Sequence, residues 1–140
     1  MKCKDVMTKN PECCLVSDSV VTVAQKMRSE DVGSVPVIED SSSKRLVGIV
    51  TDRDLVLKVI AAGRDGESVT ASDVMNTGLV TCRMDDDVKT AVRKMATYQV
   101  RRIPVVDNEG SIRGIIAQAD VATKVDEAEV TGEMVEEISR

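Results

Sequence analysis

Aromatic side chains are almost missing from this sequence: there is one Tyr (Tyr98), no Phe and no Trp, and there is no His. Without His, neither a Ser-His-Asp nor a Cys-His catalytic group can be assembled, and a His-ligated metal site is excluded. Without exposed aromatic faces there is no stacking platform for single-stranded nucleic acid. The cysteines, Cys3, Cys13, Cys14 and Cys82, make no Cys-x-x-Cys pair, so little points to zinc or thioredoxin-type chemistry. They read as small apolar fillers, with a redox or metal role for Cys3, Cys13 and Cys14 as the alternative. No apolar run reaches the roughly 18 residues of a membrane span. Met1-Lys2-Cys3-Lys4-Asp5 leads into polar sequence without the apolar stretch of a signal peptide. The expectation is a cytoplasmic protein.

What is present is a chain of 140 residues, 42% hydrophobic and 31% charged, long enough to bury a core of Val, Ile, Leu, Met and Ala. The net charge of -5 is localised. Residues 126–140 hold six acids (Asp126, Glu127, Glu129, Glu133, Glu136, Glu137) against Arg140, which leaves the rest of the chain neutral. A neutral body with an acidic end argues against non-specific nucleic-acid binding, which draws its affinity from neutralising phosphates.

The sequence repeats itself. Asp5-Val6-Met7-Thr8 returns as Asp73-Val74-Met75-Asn76, Ala24-Gln25-Lys26-Met27 as Val92-Arg93-Lys94-Met95, and Val35-Pro36-Val37-Ile38 as Ile103-Pro104-Val105-Val106, all at an offset of 68. Gly48-Ile49-Val50 returns as Gly114-Ile115-Ile116 at 66, the two residues being lost between Ser41-Ser42-Ser43-Lys44 and Asn108-Glu109-Gly110, both turn compositions. Each copy reads as a short strand (near Leu15-Val16 or Leu79-Val80), a helix, a hairpin and a second helix. Val20, Val23, Ala24 and Met27, and again Val88, Ala91, Val92 and Met95, have the spacing of one buried helical face. Asp18 or Ser19 caps the first of these helices and Asp86 or Asp87 its counterpart. The hairpin strands are Ser34–Glu39 with Arg45–Val50, and Arg102–Asp107 with Ile112–Ala117. Pro36 is expected at a strand start or edge, since it donates no hydrogen bond. The second helices are Asp54–Ala62, stopped by Gly63, and one from Gln118 into the tail. Arg64–Ser72 reads as the linker. The fold expected is α+β: two β-α-β-β-α repeats, residues 1–66 and 67–126, related by a pseudo-two-fold with sheets and helices face to face, and an acidic tail at 127–140. Val130, Met134, Val135 and Ile138 in that tail have helical spacing, interrupted by Gly132.

These pieces, in this order and twice over, resemble a tandem pair of CBS domains, a Bateman module of the stand-alone kind. The carrying residues are Asp5-Val6-Met7-Thr8, Val35-Pro36-Val37 and Gly48-Ile49-Val50-Thr51-Asp52-Arg53-Asp54 in the first copy. The second supplies Asp73-Val74-Met75, Val100-Arg101-Arg102-Ile103-Pro104-Val105 and Gly114-Ile115-Ile116-Ala117-Gln118-Ala119-Asp120, so the likeness covers roughly residues 3–125. The resemblance implies a non-catalytic regulatory module. Its ligand would be an adenine nucleotide (AMP, ADP or ATP) ahead of S-adenosylmethionine or NAD, held in a cleft where the repeats meet. It also implies a homodimer and an effector protein in trans.

The family's ligand motif fits Gly48–Asp54 in full. Gly48 permits close backbone approach, Thr51 offers a hydroxyl where a helix starts, and Asp54 can accept from ribose hydroxyls, with Arg53 beside it. Val35, Pro36 and Ile49 are candidate aliphatic walls for the purine, with Val16 behind. In the second copy Ala117 replaces the hydroxyl residue while Asp120 remains, and Arg101-Arg102 precede Ile103-Pro104 where Gly33-Ser34 stand in the first. Arg gives forked bonds to phosphate oxygens. The two clefts should therefore differ, one holding a phosphorylated nucleotide and the other weak or empty. Competing readings are a helix cap without ligand for Thr51 and Asp54, and a surface pair for Arg101 and Arg102. Val56, Val59, Ile60, Val121 and Val125 are candidates for apolar contact with a second copy. Of other classes, a ligand-free dimerisation module is the alternative. Metal-assisted catalysis at Asp85-Asp86-Asp87 yields to those acids standing at a helix start.

Overall fold

The computed structural model describes residues 1–131, and side-chain surroundings as far as Lys124. The chain opens with one helical turn, α1 (Cys3–Val6), and a two-residue strand, β1 (Thr8–Lys9). Both belong to a compact unit completed much later, by residues 80 onward, while residues 12–79 form a unit of their own. The structural units are thus offset from the repeats read at 1–66 and 67–126.

In the unit of residues 12–79, β2 (Cys14–Leu15) leads into α2 (Val20–Glu30), the hairpin β3 (Ser34–Ile38) and β4 (Leu46–Thr51), then α3 (Asp52–Leu55), which widens into a π-helical turn over Val56–Ile60. Gly63, at φ 69°, ends it. A last turn, α4 (Ala71–Val74), closes the unit. Ser19 caps α2, its side chain accepting from the Thr22 N–H at 3.2 Å. The sheet runs β2-β3-β4, parallel then antiparallel. Pro36 lies within the middle strand, but β2 pairs only at Val37 and Ile38, so its missing N–H falls where that flank is open.

Residues 64–72 are not all linker. The Val20 N–H donates to the Val69 carbonyl at 2.8 Å, and Val69 and Ala71 are buried with Val20, Val23, Val37, Val50 and Val74 in the unit's aliphatic core. Asn76 then bridges Ile49 antiparallel.

The other unit repeats the plan. β5 (Cys82–Arg83) precedes α5 (Val88–Tyr98), the hairpin β6 (Arg102–Val106) and β7 (Ile112–Ala117), and α6 (Gln118–Thr131). Its sheet is β1-β7-β6-β5, with Thr8 paired to Ile115 as Asn76 is to Ile49. Each repeat's opening Asp-Val-Met segment therefore completes the unit built by the other repeat. The short strand expected near Leu79-Val80 lies at Cys82–Arg83, the 68-residue echo of Cys14–Leu15. Asp87 caps α5, accepting from the Lys89 N–H at 2.9 Å. The buried stripes of α2 and α5 are narrower than their spacing suggests. Ala24 and its echo Val92 are exposed, because each helix turns only Val20-Val23-Met27 or Val88-Ala91-Met95 inward. The core here joins Cys3, Val6, Cys82, Ile103, Val105, Ile116 and Val121. Residues 132–140, with Met134, Val135 and Ile138, lie outside the described residues, as do the side chains of Val125 and Val130.

Candidate functional site

The Gly48–Asp54 segment crosses from strand to helix. Thr51 keeps extended backbone (φ -107°, ψ 161°) and becomes the N-cap of α3. A capping box forms: the Asp54 N–H donates to Thr51 Oγ1 at 3.2 Å, and the Thr51 N–H and hydroxyl donate to Asp54 Oδ2 at 2.8 and 2.9 Å. Asn76 Nδ2 reaches the same oxygen at 2.7 Å, and Lys58 Nζ lies 3.1 Å from Oδ1. Lys58 also donates to the Val74 carbonyl at 2.9 Å. Asp54 is one of the two buried polar or charged residues among those described, at 8% exposure. Burial pushes its carboxyl upward. The bonds from Thr51 and the charge of Lys58 outweigh that, so the group sits below the ordinary carboxylate range. It is an ionised, oriented acceptor. Oδ2 carries three donors and Oδ1 one, which leaves acceptor capacity on Oδ1.

Asn76 and Lys58 were not among the sequence candidates. Lys58 was readable as the i+4 partner of Asp54 on a helix. Asn76 follows the repeated Asp-Val-Met, but only the strand bridge to Ile49 carries it to Asp54.

Gly48 has a different role from the one expected. A Cβ there would stand 2.5 Å from Met75 Sδ, and at Gly114 one would stand 2.5 Å from Met7 Sδ and 2.8 Å from the Thr8 carbonyl oxygen. Both glycines make room for the repeated Met of Asp-Val-Met within their own unit. Val35 and Ile103 are wholly buried in the cores of their units, Pro36 and Pro104 are buried, and Ile49 is half-exposed. Arg53 is exposed in the first turn of α3.

In the other unit the Gln118 N–H donates to the Arg101 carbonyl at 2.8 Å, as the Asp52 N–H does to Gly33 at 2.9 Å. Ala117 has no hydroxyl, so the box of Thr51 has no counterpart here. Arg102 begins β6 opposite Ala117, where Ser34 stands opposite Thr51 in the first hairpin. Its Nε is buried without a hydrogen-bond partner among the described residues. Arg101 is exposed and Asp120 half-buried.

The remaining candidates separate. Val59 and Val121 are core residues of their own units, at 5% and 9% exposure, and so are not available to a second copy. Val56 and Ile60 are exposed at 51% and 72%. Beside them an apolar groove of about 190 Å³ is lined by Val20, Val21, Ala24, Leu55, Ile60 and Arg64 among others, and by none of the candidate ligand residues. Burial raises the Cys13 thiol to about 11 and the Cys14 thiol to about 12. None of the four cysteines is in a disulfide. Among the described residues no three Cys, Asp or Glu side chains stand close enough to hold a metal ion, and no helix is long and apolar enough to cross a membrane.

Known proteins agree with this architecture. An uncharacterized protein of Methanopyrus kandleri is 35% identical over 84% of this chain, which spans 57% of that relative's length. The YlbB protein of Bacillus subtilis is 38% identical over 99% of this chain and 91% of its own. A solved structure of Hypoxic Response Protein I with two coordinated zinc ions matches with a TM-score of 0.80 at 31% identity, over 88% of this chain and 98% of that one. The structure of CBSX2 in complex with AMP matches at 0.78 and 26% identity, over 91% and 98%. The family model for the CBS domain matches twice, at residues 3–61 and 71–127. The chain belongs to the CBS domain family and carries two CBS domains in tandem.

Proposed function

We propose that this CBS pair is a non-catalytic regulatory module that senses an adenosine-containing ligand, an adenine nucleotide first among them. The observation that carries the reading is Arg102 Nε, a buried cationic donor with no hydrogen-bond partner among the described residues. Such a group costs free energy unless an acceptor arrives, and a nucleotide phosphate is the acceptor that an Arg fork suits best. Asp54 supports the same ligand class from within its own unit. Its carboxylate is ionised and held in one orientation by Thr51, Asn76 and Lys58, as an acceptor for ribose hydroxyls must be. The AMP complex of CBSX2, a protein of the same family, supports the ligand class. Asp120, Arg101, Arg53, Ile49, Pro36 and Pro104 are secondary members of the binding set. Val35 and Ile103 act through the cores behind it.

Because Thr51 has no counterpart at Ala117, we expect one strong site per chain. Calorimetric titration with AMP, ATP and adenosine tests this. Asp54→Ala weakens all three at least about tenfold, a loss of about 1.4 kcal/mol. Arg102→Ala weakens the phosphorylated ligands and leaves adenosine unchanged. Unaltered AMP affinity in Asp54→Ala, or two equal sites, sinks the assignment.

A second reading is a ligand-free dimerisation module. The exposed apolar surface of Val56, Leu57 and Ile60, continuous with the groove at Ile60, favours it. Thermal melts against a nucleotide panel separate the two. A ligand that binds only the folded state raises the midpoint by mass action, and a purely structural module shifts with none.

A further inference from the structure

Lys58 is fixed against Asp54 by more than their opposite charges. An ammonium group has three N–H donors and no acceptor. Lys58 Nζ stands 2.9 Å from the Val74 carbonyl, 3.1 Å from Asp54 Oδ1 and 3.5 Å from Asn76 Oδ1. Asn76 in turn donates from Nδ2 to Asp54 Oδ2 at 2.7 Å. Lys58, Asp54 and Asn76 thus close a ring of contacts, all within the unit of residues 12–79. A surface ion pair is ordinarily loose, because long side chains must be ordered to make it. Here the Val74 carbonyl and Asn76 order the lysine from the side away from the carboxylate. The Asp54 side chain is 11% exposed, so little of its carboxylate is open to a ligand.

A carboxylate accepts about four hydrogen bonds, two on each oxygen. Asp54 Oδ2 already takes three, from the Thr51 N–H at 2.8 Å, the Thr51 hydroxyl at 2.9 Å and Asn76 at 2.7 Å. It is full. Oδ1 takes Lys58, which leaves one acceptor position among the described residues. A vicinal diol grips a carboxylate as a fork, one hydroxyl to each oxygen, and that fork is closed here at Oδ2. We propose that Lys58 is a specificity-determining residue: by holding one of the two positions on Oδ1, it limits Asp54 to a single ribose hydroxyl. The ligand class then includes the adenine deoxynucleotide that keeps this hydroxyl. The inference rests on the adenosine reading of Asp54 given above and narrows it.

The ring decides the outcome because a second hydroxyl must displace the lysine to reach Oδ1. An ammonium on a carboxylate pairs two ions, whereas a hydroxyl brings a neutral donor and a weaker bond. The exchange is a net loss. It also breaks the link through which Lys58 joins α3 to the Val74 carbonyl and Asn76. The second hydroxyl therefore stays with solvent and adds little affinity. With the cation removed, Oδ1 has both positions open and accepts both hydroxyls.

The test is calorimetric titration of the full chain with AMP, 2′-deoxy-AMP and 3′-deoxy-AMP, on wild type and Lys58→Met. The readout is the affinity of each deoxy compound relative to AMP in the same protein, which cancels any general effect of the variant on folding or on phosphate attraction. In the wild type one deoxy compound binds at least about tenfold more weakly than AMP, for the lost bond to a charged group, and the other stays within about threefold. In Lys58→Met both bind at least about tenfold more weakly than AMP. The wild-type ratios decide the first point even if Lys58→Met fails to fold. Losses for both deoxy compounds in the wild type overturn the proposal, since Asp54 then reads two hydroxyls past Lys58. A one-sided loss that persists in Lys58→Met overturns the role of Lys58. Failure of the underlying reading looks different: AMP binds with no loss for either deoxy compound, or none of the three binds.

Discussion

Thr51→Ala and Ala117→Thr are mirror-image perturbations that the repeat itself suggests. Thr51→Ala removes one side of the α3 capping box. The Asp54 N–H loses its 3.2 Å acceptor, and Asp54 Oδ2 loses the 2.9 Å hydroxyl donor. Loss of an N-cap costs about 1 kcal/mol, and a hydrogen bond to a charged acceptor contributes about 1.5 kcal/mol at the low end. Asp54 keeps its bonds from the Thr51 N–H, Asn76 and Lys58, so the two losses do not add in full and about 2 kcal/mol is expected. Ala117→Thr supplies the missing hydroxyl to Asp120 and the start of α6, and should gain about 0.5 kcal/mol. Urea unfolding followed by far-UV circular dichroism is the assay. Fluorescence is a poor choice, since the only aromatic is Tyr98, 61% exposed. Two-state fits at constant slope give the differences. A cost below about 0.5 kcal/mol for Thr51→Ala would refute the view that this box orders the junction and fixes the Asp54 carboxylate.

Further outcomes follow from the same contacts. Because the Asp54 carboxyl lies below its ordinary range when folded, its stabilisation is complete above the unfolded value near about 4 and is lost as pH falls through the folded one. Asp54→Asn should therefore flatten the acid limb of a urea-midpoint profile below about pH 4, and an unchanged limb contradicts this. Gly48→Ala forces a Cβ against the movable Met75, whereas Gly114→Ala meets Met7 and also the Thr8 backbone. Overpacking costs of about 1–3 kcal/mol should make Gly114→Ala the worse of the two in the same denaturation series. The reverse order would mean that β1 shifts more readily than the Met side chain. Ile60→Asp places a charge on the exposed apolar surface. It should lower the sedimentation mass if this face joins two copies, while Val121→Asp, buried in its own unit, should unfold the chain instead.

How far the sequence reaches depends on whether a feature is local. The helices α2 and α5, the hairpins and the caps at Ser19 and Asp87 were legible, because periodicity and capping act within a few residues, whereas the single turns α1 and α4 were not. The Thr51–Asp54 pair was legible for the same reason, three residues apart across one turn. Ala24 and Val92 were misjudged because amphipathic spacing says which side is apolar, not how wide a stripe the neighbouring elements cover. Asn76 was missed because it joins Asp54 across 22 residues, through a strand bridge that no local pattern encodes. Gly48 was assigned to a ligand because close approach is legible from Gly, but not what approaches, which is Met75.

The missing aromatics and histidines, the aliphatic composition and the 68-residue repeat were determined by the sequence alone, and the motifs that the repeat carries were enough for the resemblance to the CBS family. Tertiary structure alone decided that each repeat's Asp-Val-Met segment completes the other repeat's unit. It likewise decided that Asp54 is shared by Thr51, Lys58 and Asn76, and that Arg102 Nε is buried without a hydrogen-bond partner among the described residues. The physical reason is common to all three. They depend on which strand edge a distant segment pairs with, and that choice is made by the packing of whole units.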